Sequence, residues 1–243
     1  MSKRWILLRG LSRGNNHWGE FLELMREQGL EVELAEIPGN GTRYRELTPL
    51  NSLKVIEAIK KTSPFSKDKK TFNICGISLG GMMALKWAEM YPDEIEHVVI
   101  INSSLSQLSP VHHRISFKSI FQIIRGITSR DPIVRESITL ALTVNDEKIR
   151  EKYLKRFVRF SQKNPIAVKN FVRQLYLANR IKINQSIQSP ITIIVSVQDH
   201  FVKPNCSFEM AHFFNVDPIS HPTSGHDLPL ESPQWLLKVL TQV

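Results

Sequence analysis

The stretch from Thr71 to Met90, TFNICGISLGGMMALKWAEM, constrains the fold of this chain more than any other. It reads as a short buried strand over Phe72 to Cys75, an abrupt turn on Gly76-Ile77-Ser78-Leu79-Gly80, and an amphipathic helix that Pro92 stops soon after Tyr91. A serine at the apex of so tight a strand-to-helix turn takes up strained backbone angles. Only small neighbours such as Gly76 and Gly80 let strand and helix close around it. The hydroxyl of Ser78 is then presented at the C-terminal edge of a sheet, where the following helix N-terminus favours developing negative charge.

Strand and helix alternate around this stretch. Trp5 to Leu8 is an apolar run ending in Arg9-Gly10-Leu11, followed by a helical pattern from His17 to Gln28. Glu31 to Ile37 reads as a strand and Pro38-Gly39-Asn40-Gly41 as a turn-rich loop, and Thr48-Pro49 precedes a helix to about Lys61 with Asn51 or Thr48 as its cap. His97 to Asn102 supplies another strand, and the alternation argues a parallel sheet. From Leu105 to Ser189 only helical periodicity remains, over Phe117–Ile127, Pro132–Leu142, Asp146–Gln162 and Pro165–Leu177. The strand pattern resumes at Ile191 to Val197, with a weaker strand expected over Phe213 to Ile219. Ser232-Pro233 then offers a cap and a first-turn proline for a closing helix over Gln234 to Leu240. The predicted organisation is an α/β core over residues 1–104 and 190–243, with a helical insertion over 105–189.

Two further residues answer the chemistry of Ser78. A serine hydroxyl needs a base to take its proton, and the base needs an acid to orient it. Asp199 follows the strong fifth strand and His226 follows the last one, so a parallel sheet delivers all three loops to one edge. Asp227 and Asp217 rival Asp199 for the acid, and His221 rivals His226, although Gly225 gives His226 the bend such a loop requires. The order Ser, Asp, His is that of the α/β-hydrolases.

On these motifs the chain resembles an α/β-hydrolase fold protein with a helical cap over nearly its whole length. GISLGG resembles the nucleophile elbow, IIVSVQDHFVKP the acid loop, SGHDLPLESP the histidine loop and PGNG the loop after the family's fourth strand. The resemblance implies a Ser78 nucleophile, a His226 base and an Asp199 orienter, with the backbone N–H groups of Leu11 and Leu79 as oxyanion hole. It also implies that the family's first two strands are missing, leaving about six. The chain departs from the family in carrying Arg9-Gly10 where His-Gly is usual. Dehalogenases and epoxide hydrolases of this fold place aspartate at the elbow, and here that position is Ser78. Hydrolysis of a carboxylic ester or thioester is therefore expected, with no cofactor. A lyase or carbon–carbon bond hydrolase would use the same triad, and a binding protein could keep the fold without turnover.

Charge bears on the partner. The net charge is +9, yet Leu105 to Pro190 carries 16 Lys/Arg against 5 Asp/Glu, so the excess belongs to the cap. Lys148, Lys152, Lys155, Arg156, Arg159 and Lys163 gather on one face of the third cap helix, opposite Ile149, Tyr153, Leu154, Phe157 and Val158. This is a solvated face, a dock for acyl carrier protein or a coenzyme A thioester, or a contact with an anionic membrane surface. Arg9 and Arg13 flank the oxyanion loop and are candidate readers of an anionic substrate. No aromatic-interleaved basic motif points to nucleic acid. His112-His113 lacks partners at metal-ligand spacing, and the distant Cys75 and Cys206 suggest neither a disulfide framework nor a thiolate site. No apolar run approaches the roughly 18 residues of a spanning helix. The apolar run behind MSKR is only four residues long, too short for a signal peptide, so a cytoplasmic location is expected.

Overall fold

The computed structural model describes residues 3–68, 70–115, 117–184 and 186–243. Its core is a six-stranded sheet of β1 (Arg4–Leu8), β2 (Glu31–Ala35), β3 (Phe72–Ile77), β4 (Ile95–Ile101), β5 (Ile191–Ser196) and β6 (Ile219–His221). The strands lie in the order β2-β1-β3-β4-β5-β6, and every pairing is parallel. All strands therefore end at one edge, where the loops after β1, β3, β5 and β6 meet.

The alternating side chains of these strands feed two cores. Ile6, Leu8, Ile74, Val98, Ile100, Ile193 and Val195 pack on one face with α2 (Ser52–Lys60), α3 (Leu79–Met90) and α9 (Asn205–Phe214). Trp5, Leu7, Cys75, Ile77, Val99, Ile101 and Ile194 pack on the other with α1 (Phe21–Glu27) and α11 (Pro233–Gln242). Burial of both faces explains why β1, β3 and β5 read as continuous apolar runs instead of an alternating pattern. Cys75 and Cys206 are free and buried, and burial raises both thiols above their ordinary value, Cys75 far above it.

Among the described residues, five helices lie between β4 and β5: α4 (Val111–Arg114), α5 (Phe117–Thr128), α6 (Pro132–Thr143), α7 (Glu147–Lys163) and α8 (Val168–Arg180). This is the helical cap. Tyr153 and Phe157 of α7 pack with Leu140, Val144 and the core residue Leu230, with Ile149 and Leu154 beside them. Asn170 and Gln174 of α8 bond to Thr48 and Asn40 of the core. The short α10 (Leu228–Glu231) follows the last loop.

Three local expectations change, and one pair of alternatives is resolved. The helix expected from His17 splits, because Gly19 at φ 63° separates a 3-10 turn over Asn15–Trp18 from α1. Asn51, not Thr48, caps α2; Thr48 is buried and donates to Pro38 O. Phe213 belongs to α9, which Asn215 ends in the left-handed region at φ 54°, so the last strand starts only at Ile219. Ser232 makes no side-chain cap, since its hydroxyl is engaged with that of Ser224 at 2.9 Å.

Candidate active site

Ser78 joins β3 to α3 at φ 57° and ψ −121°, a strained conformation for a residue with a Cβ. The elbow is held from below by Ser78 N–H donating to Ile101 O at 2.9 Å and by the Ser103 hydroxyl donating to Ser78 O at 2.7 Å. Three glycines make room for it. A Cβ on Gly76 would lie 2.3 Å from Gly80 O, one on Gly80 2.2 Å from Leu8 O, and one on Gly10 3.0 Å from the Ser78 Cβ. Strand, helix and the loop after β1 thus approach one another to backbone contact around a single hydroxyl.

Asp199 and His226 meet across 27 residues of chain. Asp199 Oδ2 lies 2.7 Å from His226 Nδ1, and its Oδ1 accepts from Phe201 N–H at 2.8 Å and Val202 N–H at 3.0 Å. Both side chains are buried, and Phe201 packs edge-on to the imidazole with centroids 4.9 Å apart. With Nδ1–H donated to the carboxylate, Nε2 is left as the ring's acceptor.

The rivals lie elsewhere. Asp217 is exposed. His221 packs on Trp235 and accepts from Ser224 N–H at 3.1 Å. Asp227 is buried in a two-pronged pair with Arg9, at 2.9 and 2.5 Å.

Ser78 and His226 line one cleft of about 870 Å³ together with Arg9, Leu11 and Arg13. Its remaining wall is mostly apolar and comes from the cap, through Ile123, Ile127, Ile138, Leu142 and Phe171. A second cleft of about 570 Å³ shares Ser78, Leu11 and Phe201 with the first and runs past Leu79 and Met82 towards Val111, Leu175 and Ala178. Leu79 is the first residue of α3, so its N–H is one of the donors a helix leaves unpaired at its start.

Arg9 and Arg13 both line the cleft, but each already has an anion. Arg13 Nη1 lies 2.6 Å from Glu136 of α6, a buried carboxylate, and 3.0 Å from Nε2 of the buried His17. Burial first, then the Arg13 charge, holds His17 well below the usual imidazole range, so it accepts from Arg13 as a neutral ring.

The sequence analysis missed Asn102. At the end of β4, with φ 46°, it donates to the Ser196 hydroxyl at 2.9 Å and to His226 O at 2.9 Å, while accepting Ser196 N–H at 2.7 Å. It ties the end of β4 to the end of β5 and seats the histidine loop. A polar residue closing an apolar strand next to serines was the available signal.

With this architecture and site, the family follows. Residues 51–233 match the model of the alpha/beta hydrolase fold family, and the chain belongs to that family. Solved structures agree at the level of fold. The enol-lactonase from Burkholderia xenovorans LB400 superposes with a TM-score of 0.73 at 14% identity, covering 100% of this chain and 91% of that one. A lipase-esterase related protein from Clostridium acetobutylicum gives 0.75 at 14% identity, covering 99% and 93%. The 2-hydroxy-6-oxo-6-phenylhexa-2,4-dienoate hydrolase from Rhodococcus sp. strain RHA1 gives 0.75 at 15%, covering 99% and 90%. Among curated proteins, homoserine O-acetyltransferase of Zymomonas mobilis is 35% identical over 68 residues, a match that takes in 28% of this chain and 18% of that protein.

Proposed function

We propose that the chain is a serine hydrolase that cleaves a carboxylic ester or thioester through an acyl-enzyme. The observation that carries this reading is the buried Asp199–His226 hydrogen bond at 2.7 Å in a cleft that also contains Ser78 on its left-handed elbow. His226, oriented by Asp199, takes the Ser78 proton from its Nε2 side as Oγ attacks the carbonyl. The N–H groups of Leu11 and Leu79 receive the oxyanion, worth about 3–4 kcal/mol per donor in comparable sites. The imidazolium then protonates the leaving group, and water activated by the same nitrogen releases the acid. The larger, apolar cleft accommodates the acyl chain and the smaller one the leaving group.

Arg9 and Arg13 are not assigned to substrate in this reading, because burial has matched each with a carboxylate. Any attraction for an anionic acyl carrier, such as acyl carrier protein or coenzyme A, falls instead to the exposed basic face of α7. The test is turnover of p-nitrophenyl butyrate: Ser78→Ala lowers kcat by about a thousandfold or more with the fold intact. Near-wild-type hydrolysis in that variant would overturn the assignment.

A further inference from the structure

Arg9 and Asp227 lie 218 positions apart in sequence and meet as a fork, Nη1 to Oδ1 at 2.9 Å and Nη2 to Oδ2 at 2.5 Å. Only 4% of Arg9 and 2% of Asp227 is exposed. The placement of the two is specific. Arg9 directly precedes Gly10-Leu11, the loop that packs on Ser78, and Asp227 directly follows His226. Asp227 N–H also donates to Thr143 O at the end of α6, at 2.8 Å, so the cap grips the same residue. The Arg9 guanidinium sits 5.0 Å from the Trp18 ring centroid, which restricts its plane.

Stability alone is a poor reason for such a pair. Two charges taken out of water gain little over apolar side chains of the same volume, and the buried Arg9 Nε has no partner among the described residues. What a fork supplies is direction, because two parallel bonds fix an angle as well as a distance.

We propose that the Arg9–Asp227 pair is a positioning latch that sets the histidine loop against the oxyanion loop, holding base and oxyanion donors in register. The proposal rests on the serine-hydrolase reading of the site. It also accounts for arginine in place of the histidine usual after this strand. Arg9 spans the gap to the base-bearing loop, while Gly10 beside it packs closely on Ser78.

The charges around His226 determine the test. They are Asp199 at Nδ1, the Arg9–Asp227 pair at the next residue, Glu231 bonded to Gly225 N–H, and Arg13, Glu136 and Arg135 along the cleft. Turnover of p-nitrophenyl butyrate and the titration of His226, followed by NMR of ¹⁵N-histidine-labelled protein, are measured side by side.

Asp227→Asn is expected to lower kcat about tenfold to a hundredfold, with KM changed far less. The His226 midpoint should also fall in this variant, because Arg9 is left without its counter-ion. The double variant Arg9→Met/Asp227→Leu removes both charges, keeps the thermal midpoint and returns the titration towards wild type, yet kcat stays low. Arg9→Lys keeps the charge without the fork and gives the same split. Wild-type kcat in the double variant would reduce the pair to packing and overturn the latch, as would wild-type kcat in Arg9→Lys. If Asp227→Asn does not fold, the double variant and Arg9→Lys decide. If the wild type turns over no ester, the hydrolase reading falls and the latch falls with it; a wild type that turns over ester while the double variant keeps its kcat sinks the latch alone.

Discussion

At Asp199 the carboxylate has two separable duties, since Oδ1 terminates the turn through Phe201 and Val202 while Oδ2 orients His226. Asp199→Asn retains an oxygen for the turn but cannot hold the tautomer with Nε2 free. It is therefore expected to lose about 10⁴-fold in kcat at little cost in stability; a thermal midpoint that falls with activity would assign the residue to folding instead. The glycines separate in the same way. Gly80→Ala sets a methyl 2.2 Å from the Leu8 carbonyl, with rigid backbone on both sides, and should destabilise severely. Gly126→Ala meets nothing closer than 3.6 Å within α5 and should stabilise by about 0.5–1 kcal/mol. Urea denaturation of the two checks the pair of signs. Ser78, Asp199 and His226 were legible in the sequence because each sits in a local signature of turn residues. Arg9 was visible as an anomaly and as a candidate anion reader but not as half of a pair, since its partner, Asp227, lies at the far end of the chain.

The α7 helix shows how an element divides its charges. Of the basic side chains on its outer face, Lys152 pairs with Glu20 at 2.7 Å and Arg156 Nε donates to Asn16 at 3.0 Å, so these two hold the cap to the core. Lys155, Arg159 and Lys163 remain exposed on one stripe at helical spacing. Reversing these three to Glu is expected to raise KM for an acyl-coenzyme A several-fold, in a salt-dependent way, and to leave KM for p-nitrophenyl butyrate unchanged. Equal effects on both substrates would dispose of the carrier proposal. The attachment of α6 is costlier to disturb. Glu136→Ala leaves the Arg13 charge buried without a counter-ion, so a loss of about 3–5 kcal/mol is expected from the shift in urea midpoint. Helical periodicity foretold all four long cap helices to within three residues. It could not foretell the points of attachment, because side chains such as Asn170 and Gln174 read as ordinary polar positions until Thr48 and Asn40 are brought to them.

Across the whole molecule, burial depresses three histidines, His17 most and His97 and His221 less. The folded state then binds fewer protons than the unfolded chain below the ordinary imidazole value of about 6.5, so stability falls as pH drops through that range. The loss levels off only below the folded values. Glu231, raised by burial, acts in the opposite sense nearer the carboxylate range, so the effect is best read between about pH 5.5 and 7.5. His17→Gln removes one titrating ring and should flatten part of the slope of urea midpoint against pH; an unchanged slope would show that His17 is not a main contributor. Among the described residues no helix is long and apolar enough to cross a membrane. The sequence by itself determined the parallel sheet, the cap and the three candidate catalytic residues, because apolar runs, helical periodicity and turn chemistry are written in neighbouring residues. Only the tertiary structure decided which charges are spent. Arg9 and Arg13 look free along the chain, and folding matches them with Asp227 and Glu136, 218 and 123 residues away. A buried charge must find its counter-ion in space, and sequence distance carries no record of where that will be.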